Sequence, residues 1–125
     1  MKSRETALKL KRFEVDEKAR KVGDLVQMIR EFETIAADLD RQIHAEEERT
    51  GVREPSHFAY STFAKSAGHR RDNLRASIAE LRLKLAAAEQ ERDEVANQLS
   101  RTSETRDATT RGRRRHERAA SELAR

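Results

Sequence analysis

The stretch TGVREPSHFAYST, residues 50–62, interrupts a chain that otherwise has a helical pattern on both sides. It contains the only proline of the sequence, Pro55, which cannot occupy a helix interior because it lacks an N–H and its ring clashes with the preceding turn. Gly51 suits the C-terminus of a helix. The stretch therefore predicts a single turn with one helix on each side.

Apolar side chains recur at heptad spacing before this turn. One series, at intervals of seven, consists of Leu8, Val15, Val22, Ile29, Ala36 and Ile43, and a second series includes Leu25, Phe32 and Leu39. Alternating spacings of three and four are typical of a helix that buries a narrow apolar seam against another helix. The pattern predicts one helix over residues 3–49.

A second heptad pattern follows the turn. Its members are Ala67, Leu74, Leu81, Ala88 and Val95, interleaved with Ile78, Leu85 and Leu99. They predict a helix over residues 61–104, so that residues 50–60 form the tip of a hairpin spanning residues 1–104.

In an antiparallel hairpin, the sequence numbers of two facing residues add up to a nearly constant value, and the apolar residues of the two predicted helices meet this condition. Ile29 then lies opposite Ile78, Phe32 opposite Leu74, and Ile43 opposite Phe63. The midpoint of this alignment falls inside the turn, which was identified from other residues. We therefore predict an all-α fold, an antiparallel two-helix coiled-coil hairpin with a basic C-terminal extension. The predicted core consists of Val22, Leu25, Ile29, Phe32, Leu39, Leu74, Ile78, Leu81 and Leu85.

Charged residues occupy some positions of the predicted seam. Lys11 and Lys18 fall at d positions of the first helix, and Arg71 and Arg92 fall in the seam of the second. Such layers bury little apolar surface. We expect the end of the hairpin near Leu8, the open end, to need a partner or a second copy of the chain.

Composition excludes several functional classes. Charged residues make up 40% of the 125 residues and aromatic residues 4%, too few apolar side chains for a wide compact core. Without cysteine there is neither a disulfide framework nor a thiolate nucleophile. The charged N-terminus does not resemble a secretory signal, and no apolar run approaches membrane-spanning length, so we expect a soluble, cytoplasmic protein.

Sites for catalysis, a cofactor or a metal are not expected either. The sequence has no Gly-rich phosphate loop and no triad-like arrangement, and a two-helix seam offers no small-molecule pocket. His44 with Glu48, and His69 with Asp72, have helical spacing but supply too few ligands for a metal. We predict a protein that is not an enzyme and has no small-molecule substrate.

The net charge of +4 lies in the C-terminal part of the chain. Residues 105–125, a segment we expect to be partly disordered or helical, carry a cluster of arginines: Arg111, Arg113, Arg114, Arg115 and Arg118. This segment is either a solvated end or an arm that binds an acidic protein. Nucleic acid is the less favoured partner, because no aromatic residue follows Phe63 to stack on bases.

Aromatic residues concentrate at the tip, as Phe58, Tyr60 and Phe63. Two interpretations are open for them. Phe63 can close the seam against Ile43 with the other two folded over it, or the tip can present an exposed apolar knob, since aromatic residues are enriched in binding hot spots.

Three strings of the sequence resemble the flagellar export protein FliJ family: KSRETALKLKRFEVDEKARKV, TGVREPSHFAYSTFAK and RRDNLRAS. The resemblance covers about residues 1–100. It implies a coiled coil similar to the stalk subunit of rotary ATPases, acting without catalysis in the flagellar type III protein export apparatus and so in flagellum biogenesis and motility. The implied partners are the export ATPase, the export-gate membrane protein and export chaperones, and the implied location is cytoplasmic, peripheral to the inner membrane.

The resemblance also implies binding residues. The gate contact of the family uses an aromatic residue early in the second helix and a leucine four residues later, positions held here by Phe63 and Ala67. With Phe58 and Tyr60 they form the predicted gate-binding tip. The open end and the tail, through Lys11, Lys18, Arg113, Arg114 and Arg115, form the predicted ATPase-binding region. Two alternatives are a structural coiled coil that self-associates, including as a weak homodimer, and a nucleic-acid-binding protein.

Overall fold

The computed structural model describes residues 2–124, which form two α-helices and no β-strand. Helix α1 comprises Lys2–Thr50 and helix α2 comprises Thr62–Leu123. The predicted all-α class is confirmed, and the ends of the helices at the turn lie within one residue of the predicted ones. Helix α2 continues far beyond residue 104, so the change in charge there does not coincide with the end of a helix.

Local chemistry determines where α1 ends. Gly51 has a φ of 72°, in the left-handed region that glycine adopts without steric strain, and its N–H donates to the Glu47 carbonyl at 2.9 Å. This bond satisfies one of the carbonyls that the last turn of a helix leaves unpaired. The predicted helix-terminating role of Gly51 is confirmed.

The chain divides into two compact units. The tip unit is Lys21–Ala88, and the terminal unit combines residues 1–20 with residues 89–125. In the tip unit the ion pairs of Glu33 with Arg82 and of Asp40 with Arg75 show that the two helices run antiparallel. In the terminal unit the contacts of Lys11 with Gln98 and of Lys18 with Glu91 show the same direction.

The core of the tip unit consists of two hydrophobic clusters. The first contains Leu39, Ile43, Ala64 and Ala67, with Tyr60 and Leu74 packed against it. The second contains Ile29, Ile78 and Leu81, with Leu25, Phe32 and Leu85 packed against it. Of the nine predicted core residues, eight lie in or against these clusters, and the ninth, Val22, is also buried. The heptad interpretation of the seam is therefore sound.

The predicted pairing of Ile43 with Phe63 is wrong. Phe63 is 55% exposed, whereas its neighbour Ala64 is 1% exposed and lies in the cluster with Ile43. Counting back by sevens from Ile78 passes through Arg71 and reaches Ala64, not Phe63. The heptad spacing alone therefore predicts Ala64 opposite Ile43. Phe63 was preferred because its aromatic side chain is larger.

The terminal unit has a shorter buried seam. Leu8 and Val95 are buried, and Leu99 is half-buried. Beyond Ser103, every described side chain of α2 is exposed. The C-terminal part of α2 is therefore a helix whose side chains are not covered by other described residues.

Candidate partner-binding surfaces

The loop between the helices consists of two consecutive turns. The His57 N–H donates to the Glu54 carbonyl at 3.0 Å, with Pro55 at the second position of the turn, where its fixed φ is favourable. The Tyr60 N–H then donates to the His57 carbonyl at 3.0 Å. The Ala59 N–H donates to His57 Nδ1 at 3.0 Å, so the backbone of the loop has well-defined partners.

Ser61 joins the two helices at the end of this loop. Its hydroxyl accepts a hydrogen bond from the Ala64 N–H at 3.2 Å, which makes it the N-cap of α2. The same hydroxyl donates to Glu46 Oε1 in α1 at 3.0 Å. Together with an ion pair to Arg49, this lowers the pKa of Glu46, the hydrogen bond from Arg49 being the larger cause.

Tyr60 makes a second link across the loop. It packs against the first hydrophobic cluster, and its hydroxyl donates to Glu47 Oε2 at 2.8 Å. Burial raises the pKa of Tyr60, and the hydrogen bond to the negatively charged Glu47 raises it further. Tyr60 therefore holds the tip together, with its ring packed on the core and its hydroxyl engaged.

The two phenylalanines of the tip are accessible. Phe58 is 96% exposed and stacks only on His57, with ring centroids 4.7 Å apart, and Phe63 is more than half exposed. Phe58 lies in the loop and Phe63 in the first turn of α2, so an exposed aromatic side chain stands on each side of the Ser61 cap. Ala67, which the resemblance groups with them, is instead buried in the first hydrophobic cluster against α1 residues. The accessible part of the predicted tip site is therefore Phe58 and Phe63.

A seam arginine is neutralised within the tip unit. Arg71 Nη1 donates to Asp40 Oδ1 at 2.8 Å, and Arg75 Nη2 donates to Asp40 Oδ2 at 2.9 Å. The hydrogen bond from Arg71 lowers the pKa of Asp40, and the positive charges of both arginines act in the same direction against desolvation. The sequence showed that Arg71 occupies a seam position that buries little apolar surface. It did not reveal the partner of Arg71, because Asp40 lies beside the seam and not in it.

A groove of about 280 Å³ runs along the tip unit beside Tyr60. His44 and His69 both line it, together with Ala64 and Lys65, so the two histidines share one surface. His44 Nδ1 lies 2.8 Å from the Asp40 carbonyl. Across residues 2–124, no group of three or more His, Cys, Asp or Glu side chains is placed to hold a metal ion.

The lysines predicted at the open end have partners within the terminal unit. Lys11 Nζ donates to Gln98 Oε1 at 2.6 Å and to Glu14 Oε2 at 3.2 Å, and Lys18 Nζ donates to Glu91 Oε2 at 3.2 Å. Both side chains remain about one-third exposed. They stabilise the hairpin locally while leaving part of each ammonium group accessible.

A second groove, of about 270 Å³, lies at the open end itself. Its lining combines apolar Ala7 and Leu8 with Thr102 and Thr105 and with one arginine from each helix, Arg4 and Arg101. Among the described residues, no acidic side chain lines it. This groove suits an apolar side chain flanked by negative charge, a feature that sequence reasoning missed because it depends on the two helices lying side by side.

The three adjacent arginines predicted in the tail do not share one surface. Successive residues of an α-helix are rotated by about 100°, so Arg113 lies almost opposite Arg115 and about 100° from Arg114. Arg114, Arg115 and Arg118 instead line one shallow depression.

No family model, curated protein or solved structure matches the chain. In the part of the chain that the structure describes, no helix is long and apolar enough to cross a membrane.

Proposed function

We propose that this chain is a non-enzymatic component of the flagellar type III protein export apparatus, a stalk-like coiled coil of the FliJ type. In this proposal it acts in the cytoplasm, at the inner membrane, where its open end binds the export ATPase. Its tip binds the export gate, and export chaperones are further partners.

The observation that carries the proposal is the tip. Its backbone turns, the Ser61 cap and the Tyr60–Glu47 hydrogen bond hold the loop that presents Phe58 to solvent, and Phe63 is exposed in the first turn of α2 that follows it. An ordered loop with exposed aromatic side chains loses little conformational freedom on binding, which favours its use as a contact surface. A gate contact through Phe63 is consistent with this arrangement.

The open end supports the ATPase contact. Arg4 and Arg101 flank an apolar groove, and Lys11 and Lys18, each about one-third exposed, lie further along the same unit. A stalk inserted into a ring needs such a surface, with both charge and apolar contact, around the two helices. The proposed mechanism is mechanical and allosteric. The hairpin would catalyse no reaction, and its binding to the ATPase ring would change the activity of the ring.

The first test measures the ATP hydrolysis rate and the hexamer content of the flagellar export ATPase from the same organism, with and without this protein at a matched ratio. We expect both to rise. If neither changes and the two proteins do not co-elute at low salt, the proposal is wrong.

The tip is tested by binding to the cytoplasmic part of the export gate. We expect Phe58→Ala with Phe63→Ala to weaken binding at least about tenfold, the usual effect of removing hot-spot side chains, with unchanged helix content. The matched control is Leu83→Ala, which removes another exposed large side chain of the same unit, 74% exposed. An equal loss in the control, or a parallel loss of helix content, would argue against a specific tip contact.

Self-association is the second candidate, favoured by exposed apolar side chains on the outer faces. Met28 and Ile35 lie seven residues apart on α1 and are both partly exposed, and Leu10 and Phe13 lie three residues apart. Such spacing is what a further helix would pack against. A mass that rises with concentration, in the absence of any ATPase effect, would favour this candidate.

A further inference from the structure

The arginines of the tail form one face of a helix. Arg111, Arg114, Arg115 and Arg118 have the spacing of three, four and seven that places side chains on the same side of an α-helix, and α2 is helical through all four. We call these four residues the arginine face. At about 1.5 Å per residue it is roughly 10 Å long.

This face is not neutralised by the part of the chain that the structure describes. The guanidinium groups of Arg114, Arg115 and Arg118 have no ion pair or hydrogen bond there, and Arg111 Nε reaches only the Asp107 carbonyl of its own helix, at 3.4 Å. The tip unit differs: Arg71, Arg75 and Arg82 all form ion pairs across its two helices. The four exposed guanidinium groups on this side of the helix can therefore donate hydrogen bonds to an anionic partner.

The chemistry of the face favours carboxylates. After Lys84 every cation of the sequence is arginine. The planar guanidinium pairs with a carboxylate or phosphate through two parallel hydrogen bonds, which a lysine cannot do. Four such groups within roughly 10 Å match a compact cluster of acidic side chains, such as one face of an acidic helix.

The surroundings of the face argue against longer polyanions. Asp107 precedes Arg111 by four residues and Glu122 follows Arg118 by four, so a carboxylate lies at each end of the same side. A nucleic-acid backbone that continued past the face would meet these negative charges. For a membrane surface, Leu123 is the one large apolar side chain in residues 104–124, which is too little for interfacial insertion.

We propose that the arginine face is a docking surface for an acidic protein segment, whose carboxylates pair with Arg111, Arg114, Arg115 and Arg118. The proposal goes beyond the export function and does not depend on it, since it follows from the charge and geometry of α2.

The test uses the full chain and three probes at about 0.1 M salt, where surface charges are screened beyond about 10 Å. The acidic probe is a fluorescein-labelled helical peptide of alanine and glutamate, with glutamates at spacings of three and four. The others are a labelled DNA duplex and vesicles of phosphatidylglycerol with phosphatidylcholine. Binding is measured by fluorescence anisotropy for the first two and by co-sedimentation for the vesicles.

Two double variants with the same net charge show whether the position of the arginines on one face matters, or only the total positive charge. Arg114→Gln with Arg118→Gln removes half of the face, and we expect it to lower affinity for the acidic peptide about tenfold, as the loss of two ion pairs implies. The matched control, Arg70→Gln with Arg113→Gln, removes two exposed arginines outside the face, and its affinity should change less than about threefold. Glutamine is a good helix former, so far-UV circular dichroism should be unchanged in both.

Four results would overturn the proposal. They are the absence of peptide binding, equal loss of affinity in the two double variants, tighter binding of the DNA duplex than of the peptide, and vesicle binding that depends on the face while peptide binding does not. Because no flagellar protein takes part, failure here leaves the ATPase test of the export function intact.

Discussion

Gly51 is the residue whose backbone conformation matters most for the hairpin. Its positive φ is strained for any residue with a Cβ, although a Cβ added there would meet no atom within 4 Å. We expect Gly51→Ala to lower the free energy of unfolding by about 1–2 kcal/mol, the cost of a left-handed conformation for an L-residue. Chemical denaturation followed by circular dichroism measures this value.

Gly23 provides the control for that substitution. It lies inside α1, and a Cβ there would also meet nothing within 4 Å. Gly23→Ala should therefore raise the free energy of unfolding, by about 0.5–1 kcal/mol, because alanine is the better helix former. If both substitutions changed stability in the same direction, the conformation of Gly51 would not be what ends α1.

Asp40 makes the stability of the tip unit depend on pH. Its carboxylate accepts hydrogen bonds from Arg71 and Arg75, and its pKa is lowered from an ordinary value of 3.8. A lowered pKa in the folded state means that the stabilisation is complete above the ordinary value and is lost as pH falls through the lowered one. Asp40→Asn should destabilise by about 1 kcal/mol at neutral pH, and this difference should shrink below pH 3.8.

The control for Asp40 lies two residues away in the same helix. Asp38 pairs with Arg41 inside α1 and does not connect the helices. Asp38→Asn should change the free energy of unfolding by less than about 0.5 kcal/mol. Urea titrations of both variants from pH 7 down to pH 2 would contradict the assignment if the effect of Asp40→Asn did not decline in acid.

Residues 107–123, at the end of α2, lack the packing that stabilises the rest of that helix. Side chains such as Ile78 and Leu81 are buried against α1, whereas those of residues 107–123 are all exposed. Helix stability in water comes largely from packing of an apolar face. We expect amide hydrogens of residues 107–121 to exchange at least about tenfold faster than those of residues 29–43.

Hydrogen exchange measured at two protein concentrations completes this prediction. Equal protection in the two segments would show that the end of α2 is packed on something. If that protection rose with concentration, a second copy of the chain would be the partner, in favour of the self-association candidate.

The elements were predictable to different degrees for identifiable reasons. The ends of the helices at the turn follow from Pro55 and Gly51, whose backbone constraints are local. The helix over residues 61–104 was predicted from the heptad pattern, which ends near Leu99, and residues 105–125 were expected to be partly disordered or helical. Helix α2 continues to Leu123 because arginine, alanine and glutamate are good helix formers even without an apolar seam. The hydrogen bond from Tyr60 to Glu47 could not be predicted from the sequence, because it depends on the conformation of the two turns that bring these residues together.

Across the whole molecule, cations fall into two groups. Most arginines of the tip unit are paired with acidic side chains of that unit, whereas those of the arginine face form no ion pair with any described side chain. Composition revealed only the net excess of positive charge and the segment that holds it. Composition does not show which arginines are paired. The structure was needed to see that Arg71 is paired with Asp40 and that Arg113 lies outside the arginine face.

Tyr60 also makes the hairpin optically convenient. The chain contains one tyrosine and no tryptophan, so its intrinsic ultraviolet fluorescence comes from this single phenol. Because the hydroxyl is engaged by a carboxylate of α1, the emission reports whether the loop is in contact with the last turn of α1. Opening of the loop, on its own or during encounter with a partner, can therefore be followed without attaching a dye.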